Sequence, residues 1–155
     1  WLGLLLADAD TVLSLRPDHG ALKALGVKVG VAGLSAGHEA PALIGRSNRE
    51  ARAFGGVRAA GIRRDAAAVP VRAPVDLEVR AFAAPLGVDE DPVTGSLNAS
   101  LAQWLIEEGR LPERYVAGQG QCLERDGRVH IERDADGQVW VGGDVAACID
   151  GTVTL

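Results

Sequence analysis

The residues with the clearest chemical potential lie in one short stretch, DEDPVTGSLNAS, at positions 89–100. Three carboxylates, Asp89, Glu90 and Asp91, stand directly before Pro92 and the start of an apolar helical pattern. An Asp at the N-cap followed by Pro at the first helical position is a common helix start, so capping alone would account for Asp91. The alternative is a carboxylate that moves protons beside an anion bound at the helix end.

Two features of the helix favour that alternative. Gly95 and Ser96 lie where the first helical N–H groups have no intrahelical acceptor, and glycine lets a ligand approach the backbone closely. The pattern TGSLNASLAQWLIEEGR is apolar on nearly all sides, which predicts a buried helix. A buried helix start binds an anion more strongly, because its positive end lies in a low dielectric. Capping and proton transfer both remain open at this point.

A second motif, GLSAG at 33–37, matches the G-x-S-x-G turn that presents a nucleophilic serine. That turn needs a helix directly after Ser35, but Pro41 interrupts the residues that follow. The nucleophile also needs a downstream acid and histidine. His38 is too close in sequence, and His130 is predicted to face away from its apolar neighbours on a strand. The sequence therefore disfavours a serine hydrolase.

The sequence predicts no metal site and no cofactor. His19, His38 and His130 are scattered, with no Cys or carboxylate at ligand spacing from any of them. The glycine-rich GVKVGVAG lacks the G-x-G-x-x-G pattern of dinucleotide-binding folds. Two cysteines, Cys122 and Cys148, are expected to be reduced, buried thiols of a cytoplasmic protein.

One long helix and about six strands are predicted to position the candidate site. The long helix ends at Gly109; two shorter helical segments lie in DADTVLSLRP, with Asp8 as N-cap, and in ALKAL. Strand patterns occur in WLGLLLA, VKVGVAGL, DLEVRAFAA, RYVAGQGQCLE, RVHIERD, QVWVGG and DVAACIDGTVTL. Asp-Gly pairs at 126–127 and 136–137 predict hairpins. Strands that follow one another through hairpins favour a sheet around a central helix over a βαβ fold.

Composition bounds the function. Of the 155 residues 47% are apolar and 24% charged, and the net charge is −5. A nucleic-acid partner is not expected, because it needs a basic face, and no apolar run is long enough to span a membrane. Residues 35–75 are rich in Ala, Gly and Arg and have no sustained period, so we expect an irregular excursion with either a basic surface or an anion-binding loop. The chain has no Met and begins at Trp1, so we expect a longer reading frame.

Five segments resemble the phenazine-biosynthesis PhzF-like family: VRAF (79–82), EDPVTGSLNASLAQWL (90–105), QG (119–120), GRVHIE (127–132) and VWVGG (139–143). The resemblance is dense over 76–155 and looser over 1–34. It implies the C-terminal domain of a diaminopimelate-epimerase-like fold, with 1–155 as a single domain. That is an α+β fold with a barrel-like, mostly antiparallel sheet wrapped around one central buried helix. Two such domains would face each other across the active-site cleft.

The resemblance also implies residue roles. Asp91 stands where PhzF-like proteins have the catalytic acid of this domain, and Thr94, Gly95 and Ser96 would hold the substrate's carboxylate. The family's other catalytic glutamate and its Gly-His-Pro turn belong to the N-terminal domain, which this chain lacks. The fold's epimerases use two thiols instead, but Cys122 and Cys148 do not fall at those positions.

Two functions follow from this resemblance. The first is the C-terminal half of a cofactor-independent isomerase that shifts a proton on a small carboxylate-bearing metabolite. It would be nearly inactive alone, and complete when paired with the N-terminal half. The second is a non-catalytic binding or assembly module, in which an exposed apolar cleft face favours a homodimer.

Overall fold

The computed structural model describes residues 1–36 and 74–154. These residues form three α-helices and seven strands. In chain order they are β1 (Leu2–Leu5), α1 (Ala9–Ser14), α2 (His19–Leu25), β2 (Val29–Leu34), β3 (Leu77–Ala83), β4 (Val88–Asp91), α3 (Gly95–Glu107), β5 (Arg114–Gln119), β6 (Gly127–Arg133) and β7 (Val139–Gly142). Most of the predicted excursion, 37–73, lies outside the described residues.

The strands form one mixed sheet in the order β1-β2-β3-β5-β6-β7, and β4 pairs with β3 off this path. The β1–β2 and β3–β5 pairs are parallel, and the other four are antiparallel. The α+β expectation agrees with this mixed sheet and its few helices. A closed barrel does not: within the described part of the chain β1 and β7 are unpaired edges, so the sheet is open.

Strand alternation divides the helices between the two faces of the sheet. In β3, Leu77, Val79 and Ala81 pack against α3 in the main core. Phe82 points to the opposite face, where it packs with Val12 of α1 and with two valines of β2. The candidate site therefore lies on the α3 face, and the two short helices cover part of the other.

Helix α3 is less enclosed than its sequence predicts. Leu97, Leu101 and Leu105 are buried, and Gly30 of β2 lets the helix approach closely. A Cβ at Gly30 would lie 2.3 Å from Leu97 Cδ1. A stripe nevertheless remains exposed, consisting of Ser96, Ser100, Gln103 and Glu107. The helix is thus buried on one broad face, not all round.

Most predicted helix ends are confirmed. Asp8 caps α1, as predicted, by accepting from Thr11 N at 2.7 Å. Asp18, which was not predicted as a cap, does the same for α2 through Ala21 N at 2.9 Å. Gly109 follows α3 in the left-handed region, with φ of 67°. Each cap is a short polar side chain or a glycine where the backbone requires one.

Three details of the sequence interpretation are wrong. The acidic stretch 88–91, which is absent from the predicted strands, is strand β4. The segment DVAACIDGTVTL, predicted as a strand, has no regular structure over 144–154 and is exposed. Both predicted hairpins form, β5–β6 and β6–β7. Asp126-Gly127 is not a tight turn, however, because it only ends a longer connection that contains a 3₁₀ turn at Gln121–Leu123.

Candidate functional site

Strand β4 separates the acids that precede α3. Successive side chains of a strand point to opposite faces, so Glu90 and Asp91 cannot share an environment. Glu90 turns toward the α1 face and accepts two hydrogen bonds from Arg80, at 3.0 and 2.8 Å. Asp91 lies opposite Ala81 in the register, on the side of α3. Only Asp91 of this pair is therefore placed at the helix start.

Asp91 does not cap the helix. It is the last residue of β4, and α3 begins four residues later with Thr94 as its N-cap. The Thr94 hydroxyl makes no capping bond within the described helix. It donates to Asp91 Oδ2 at 2.7 Å instead. The capping interpretation of Asp91 is thus wrong, because an intervening Pro92-Val93 link moves the helix start away from it.

A buried amide, Gln119 at the end of β5, holds this link in place. Its Oε1 accepts from Thr94 N at 3.1 Å and from Asn98 Nδ2 at 2.8 Å. Its Nε2 donates to the Asp91 carbonyl at 2.9 Å and to Thr94 Oγ1 at 3.0 Å. Asn98 Nδ2 also donates to the Thr94 carbonyl at 2.9 Å. These contacts fix both the end of β4 and the start of α3.

Two glycines let the link lie against the end of β5 and the start of β6. Gly120 has φ of 93°, and a Cβ there would lie 2.7 Å from the Pro92 carbonyl oxygen. A Cβ at Gly127 would lie 2.6 Å from Val93 Cγ2. Approaches this short exclude any other side chain without movement of the backbone.

The first turn of α3 presents polar groups to solvent. Gly95 and Ser96 are exposed, and the space beside the Gly95 Cα is open. The Ser96 hydroxyl accepts from Trp1 Nε1 at 3.0 Å, which leaves its own proton to donate. Lys28 Nζ lies 4.6 Å from the centre of the Trp1 ring. Through Trp1, a lysine cation therefore lies near the positive start of α3.

The structure thus brings together all four residues singled out from the sequence. Thr94 donates a hydrogen bond directly to Asp91, and Gly95 and Ser96 begin the adjacent helical turn. Sequence reasoning missed the supporting role of Gln119 and Asn98. Each of them is a polar side chain at a position where the period of the strand or helix predicts burial, and this could have identified them from the sequence. Both are buried in the structure, with Asn98 0% and Gln119 1% exposed.

The other motifs do not form a second site in the described residues. Ser35 donates its backbone N–H to the Asp76 carbonyl at 3.0 Å, beyond the end of β2. Gly33 is required by packing, because a Cβ there would lie 2.2 Å from the Asp8 carbonyl oxygen. His130 is exposed on β6, as predicted, and His38 lies outside the described residues.

The prediction of buried thiols is wrong, since Cys122 and Cys148 are both exposed. Cys122 lies in the 3₁₀ turn and Cys148 in the irregular C-terminal segment, so neither occupies a core position. Within 1–36 and 74–154, His, Cys, Asp and Glu form no group of three that could hold a metal ion. Nor does any helix there have the length and apolarity needed to cross a membrane.

One buried carboxylate, Glu78 of β3, lies on the face opposite to the candidate site. Burial raises its pKa above the ordinary value, and the nearby Arg128 and Arg80 oppose that shift. Its Oε1 has no hydrogen-bond partner in the described structure. Gly118, its register partner on β5, makes room for it, because a Cβ there would lie 2.7 Å from Glu78 Oε2.

Comparisons with known proteins support the family resemblance seen in the sequence. A family model described as phenazine biosynthesis-like protein matches residues 56–151, which include Asp91, Thr94, Gly95, Ser96, Asn98 and Gln119. The chain belongs to this family. The match begins upstream of the dense resemblance at 76–155 and ends four residues before the last residue of the chain.

Curated relatives match over shorter segments. The mouse phenazine biosynthesis-like domain-containing protein 1 is 35% identical over 82 residues, which is 53% of this chain and 27% of that protein. The human phenazine biosynthesis-like domain-containing protein is 37% identical over 79 residues, 51% of this chain and 26% of its own length. The Escherichia coli K12 protein named uncharacterized isomerase YddE is 37% identical over 57 residues, 34% of this chain and 19% of its own length. The matched part thus spans about a quarter of the mouse and human relatives.

Proposed function

We propose that this chain supplies the carboxylate-binding half of the active site of a cofactor-independent isomerase. The reaction is a proton shift on a small carboxylate-bearing metabolite. The observation that carries the proposal is the bond between Thr94 and Asp91 beside the uncapped start of α3. The Thr94 hydroxyl, which could have capped the helix, donates to the Asp91 carboxylate instead. The first helical N–H groups are therefore left for a ligand.

The chemistry assigned to this arrangement is general acid–base catalysis. One carboxylate removes a proton from carbon, and a proton returns at another carbon or at the opposite face, so the atoms balance without a cofactor. Asp91 serves as one of these groups. The negative charge that develops on the substrate's carboxylate is stabilised by the Gly95 and Ser96 N–H groups, the Ser96 hydroxyl and the positive end of α3.

The proposal assigns the partner acid to an N-terminal domain. The relatives are about four times longer than the matched segment, so there is room in them for a second domain. We propose that residues 1–155 are the C-terminal domain, that its sheet curves around α3, and that two such halves enclose the substrate in the cytoplasm. Packing of α3 against β1, β6 and β7 supports the curvature.

The test is deuterium incorporation from D₂O into a panel of small carboxylates with an acidic C–H group. It is made on this chain joined to its upstream coding residues and followed by NMR. Asp91→Asn should lower the incorporation rate by about 10²-fold or more, the usual range for a general acid or base. Asp89→Asn is the matched control, because Asp89 is an exposed carboxylate two residues away. Equal rates for Asp91→Asn and wild type would exclude this function.

A second proposal, pairing of two copies without catalysis, is favoured by exposed leucines of β1, which lie on the α1 side of the sheet and not at the candidate site. Leu2 and Leu4 are 48% and 42% exposed on an unpaired edge strand of the described sheet. Such a surface favours association. Sedimentation velocity should give a dimer for this chain and a monomer for the Leu2→Lys, Leu4→Lys variant. A wild-type monomer at all concentrations would contradict it.

A further inference from the structure

Gln119 is a polar side chain enclosed almost completely beneath the candidate site, with 1% of its surface exposed. A buried amide costs free energy unless its hydrogen-bonding groups are satisfied. Gln119 makes four hydrogen bonds, two as acceptor and two as donor, which uses the full capacity of an amide. All four go to Asp91, Thr94 and Asn98. The amide therefore holds the junction of β4 and α3 together. Filling space alone would not require it, because an apolar side chain of similar volume would fill the same space.

The orientation of this amide is dictated by its backbone neighbours. Thr94 N can only donate, so the Gln119 atom that faces it must be the oxygen. The Asp91 carbonyl can only accept, so the atom that faces it must be the nitrogen. The two amide atoms of a glutamine are otherwise hard to tell apart, but here a donor and an acceptor of the main chain distinguish them.

That orientation directs the proton of the Thr94 hydroxyl. Because Gln119 Nε2 donates to Thr94 Oγ1, the hydroxyl oxygen is an acceptor in that bond. Its own proton must then point elsewhere, and Asp91 Oδ2 lies 2.7 Å away. A relay of donors thus runs from Gln119 through Thr94 to one oxygen of Asp91. The other oxygen, Oδ1, accepts from no residue in the described part of the chain.

We infer that Gln119 is a positioning residue for Asp91. It fixes the Asp91 main chain directly and, through the Thr94 hydroxyl, engages Oδ2 so that Oδ1 faces the substrate for proton transfer. This inference rests on the proposed function of Asp91. Displacement of a reacting group by about 1 Å can cost about 10²-fold in rate, so loss of the relay should be visible in turnover.

The test is a double-mutant cycle in the protein that carries both domains, with deuterium incorporation from D₂O as the readout. Gln119→Met removes the donors and acceptors but keeps a side chain of similar length. It should lower turnover at saturating carboxylate about 10²-fold, with KM changed much less. Gln121→Met is the control, since Gln121 is exposed two residues further along. Thermal unfolding is measured for each variant, and rates are compared well below the lowest midpoint.

The effect of Gln119→Met in the Asp91→Asn variant shows whether Gln119 positions Asp91 or only supports the fold. If Gln119 acts through Asp91, then Gln119→Met should lower the residual exchange of Asp91→Asn by less than about threefold, because coupled residues are not additive. The same 10²-fold loss in both backgrounds would overturn the inference, as would wild-type turnover of Gln119→Met. Unreduced turnover of Asp91→Asn would instead overturn the proposed function, and this inference with it. If Gln119→Met does not fold, Thr94→Val replaces it in the same cycle, since it removes only the intermediate hydroxyl.

Discussion

The Arg80 guanidinium and the Glu90 carboxylate form a two-pronged ion pair in which the two side chains are only 5% and 6% exposed. Arg80 also donates to the carbonyls of Val12 and Leu15, at 3.2 and 3.0 Å. The pair therefore ties β4 to β3 and both to the end of α1. It also explains why an acidic strand forms here, because one of its carboxylates is neutralised inside the fold.

Removal of one partner of this pair should be costly. Glu90→Ala leaves a buried guanidinium without its counter-ion, so we expect the free energy of unfolding to fall by about 3–5 kcal/mol in urea denaturation. Glu132→Ala breaks the exposed Arg114–Glu132 pair and should cost less than about 1 kcal/mol. Similar losses of unfolding free energy for the two variants would show that burial of the Arg80–Glu90 pair adds nothing to the stability of the fold.

The buried Glu78 should make stability depend on pH. Burial raises its pKa in the folded protein above 4.5, so the folded state holds a proton that the unfolded state releases. The stabilising contribution is complete below about pH 4.5 and is lost as pH rises through the folded pKa. Glu78→Gln should therefore gain stability relative to wild type at pH 7 and lose that advantage near pH 4.

Urea denaturation at the two pH values measures this difference. Glu132→Gln is the control for loss of one negative charge, since Glu132 lies on the same strand face as Arg128 but is exposed. The positive neighbours of Glu78, Arg80 and Arg128, keep their own partners Glu90 and Asp126 in the variant. A Glu78→Gln advantage of equal size at pH 4 and pH 7 would contradict the burial of an ionisable group.

The contact between β2 and α3 should tolerate no side chain. Gly30→Ala places a methyl group 2.3 Å from Leu97 Cδ1, and overpacking of this kind costs about 1–3 kcal/mol. Gly142→Ala, at a strand glycine with nothing within 4 Å of the added Cβ, should change stability by less than about 0.5 kcal/mol. Thermal unfolding compares the two, and equal midpoints would argue against close packing of α3 on β2.

Gly120 should be needed for the geometry of the candidate site as well as for stability. Gly120→Ala must adopt φ of 93° and brings a methyl group to 2.7 Å from the Pro92 carbonyl oxygen. The Pro92-Val93 link should therefore move, and amide NMR shifts of Thr94, Gly95 and Ser96 should change. Gly137→Ala, with φ of 83° but no nearby atom, controls for backbone strain alone. Unchanged shifts at the three site residues would contradict this role of Gly120.

The parts of the fold that were predictable are those with a local period. Helix α3 and most strands repeat apolar residues at the spacing of their own secondary structure, and Asp8 and Gly109 carry their capping chemistry in their residue types. Strand β4 has no such period. Its residues, VDED, disfavour a strand, and its Glu90 is paired with Arg80 of the neighbouring strand β3. A contact between residues ten positions apart produces no recognisable pattern in the local sequence.

The residues of the candidate site likewise divide into those whose proximity could be predicted from the sequence and those whose proximity could not. Asp91, Thr94, Gly95 and Ser96 are close in sequence, so their proximity could be predicted. Gln119 comes 25 positions after Thr94 and reaches it only through the parallel pairing of β5 with β3. No spacing rule predicts that a strand end will meet a helix start. The exposure of 144–154 was also unpredictable, because an apolar pattern alone does not reveal whether a partner strand is present.

The pairing of β2 with β3 joins two strands that are distant along the chain. Leu34 and Leu77 are register partners, and Ser35 N donates to the Asp76 carbonyl at 3.0 Å. The sheet thus fixes the two points between which the intervening residues run, whatever their number. Because the entropy of closing a segment grows only with the logarithm of its length, doubling it costs about 0.6 kcal/mol. A change in the number of residues between Leu34 and Leu77 should therefore alter the free energy of unfolding little, as long as the pairing of β2 with β3 is kept.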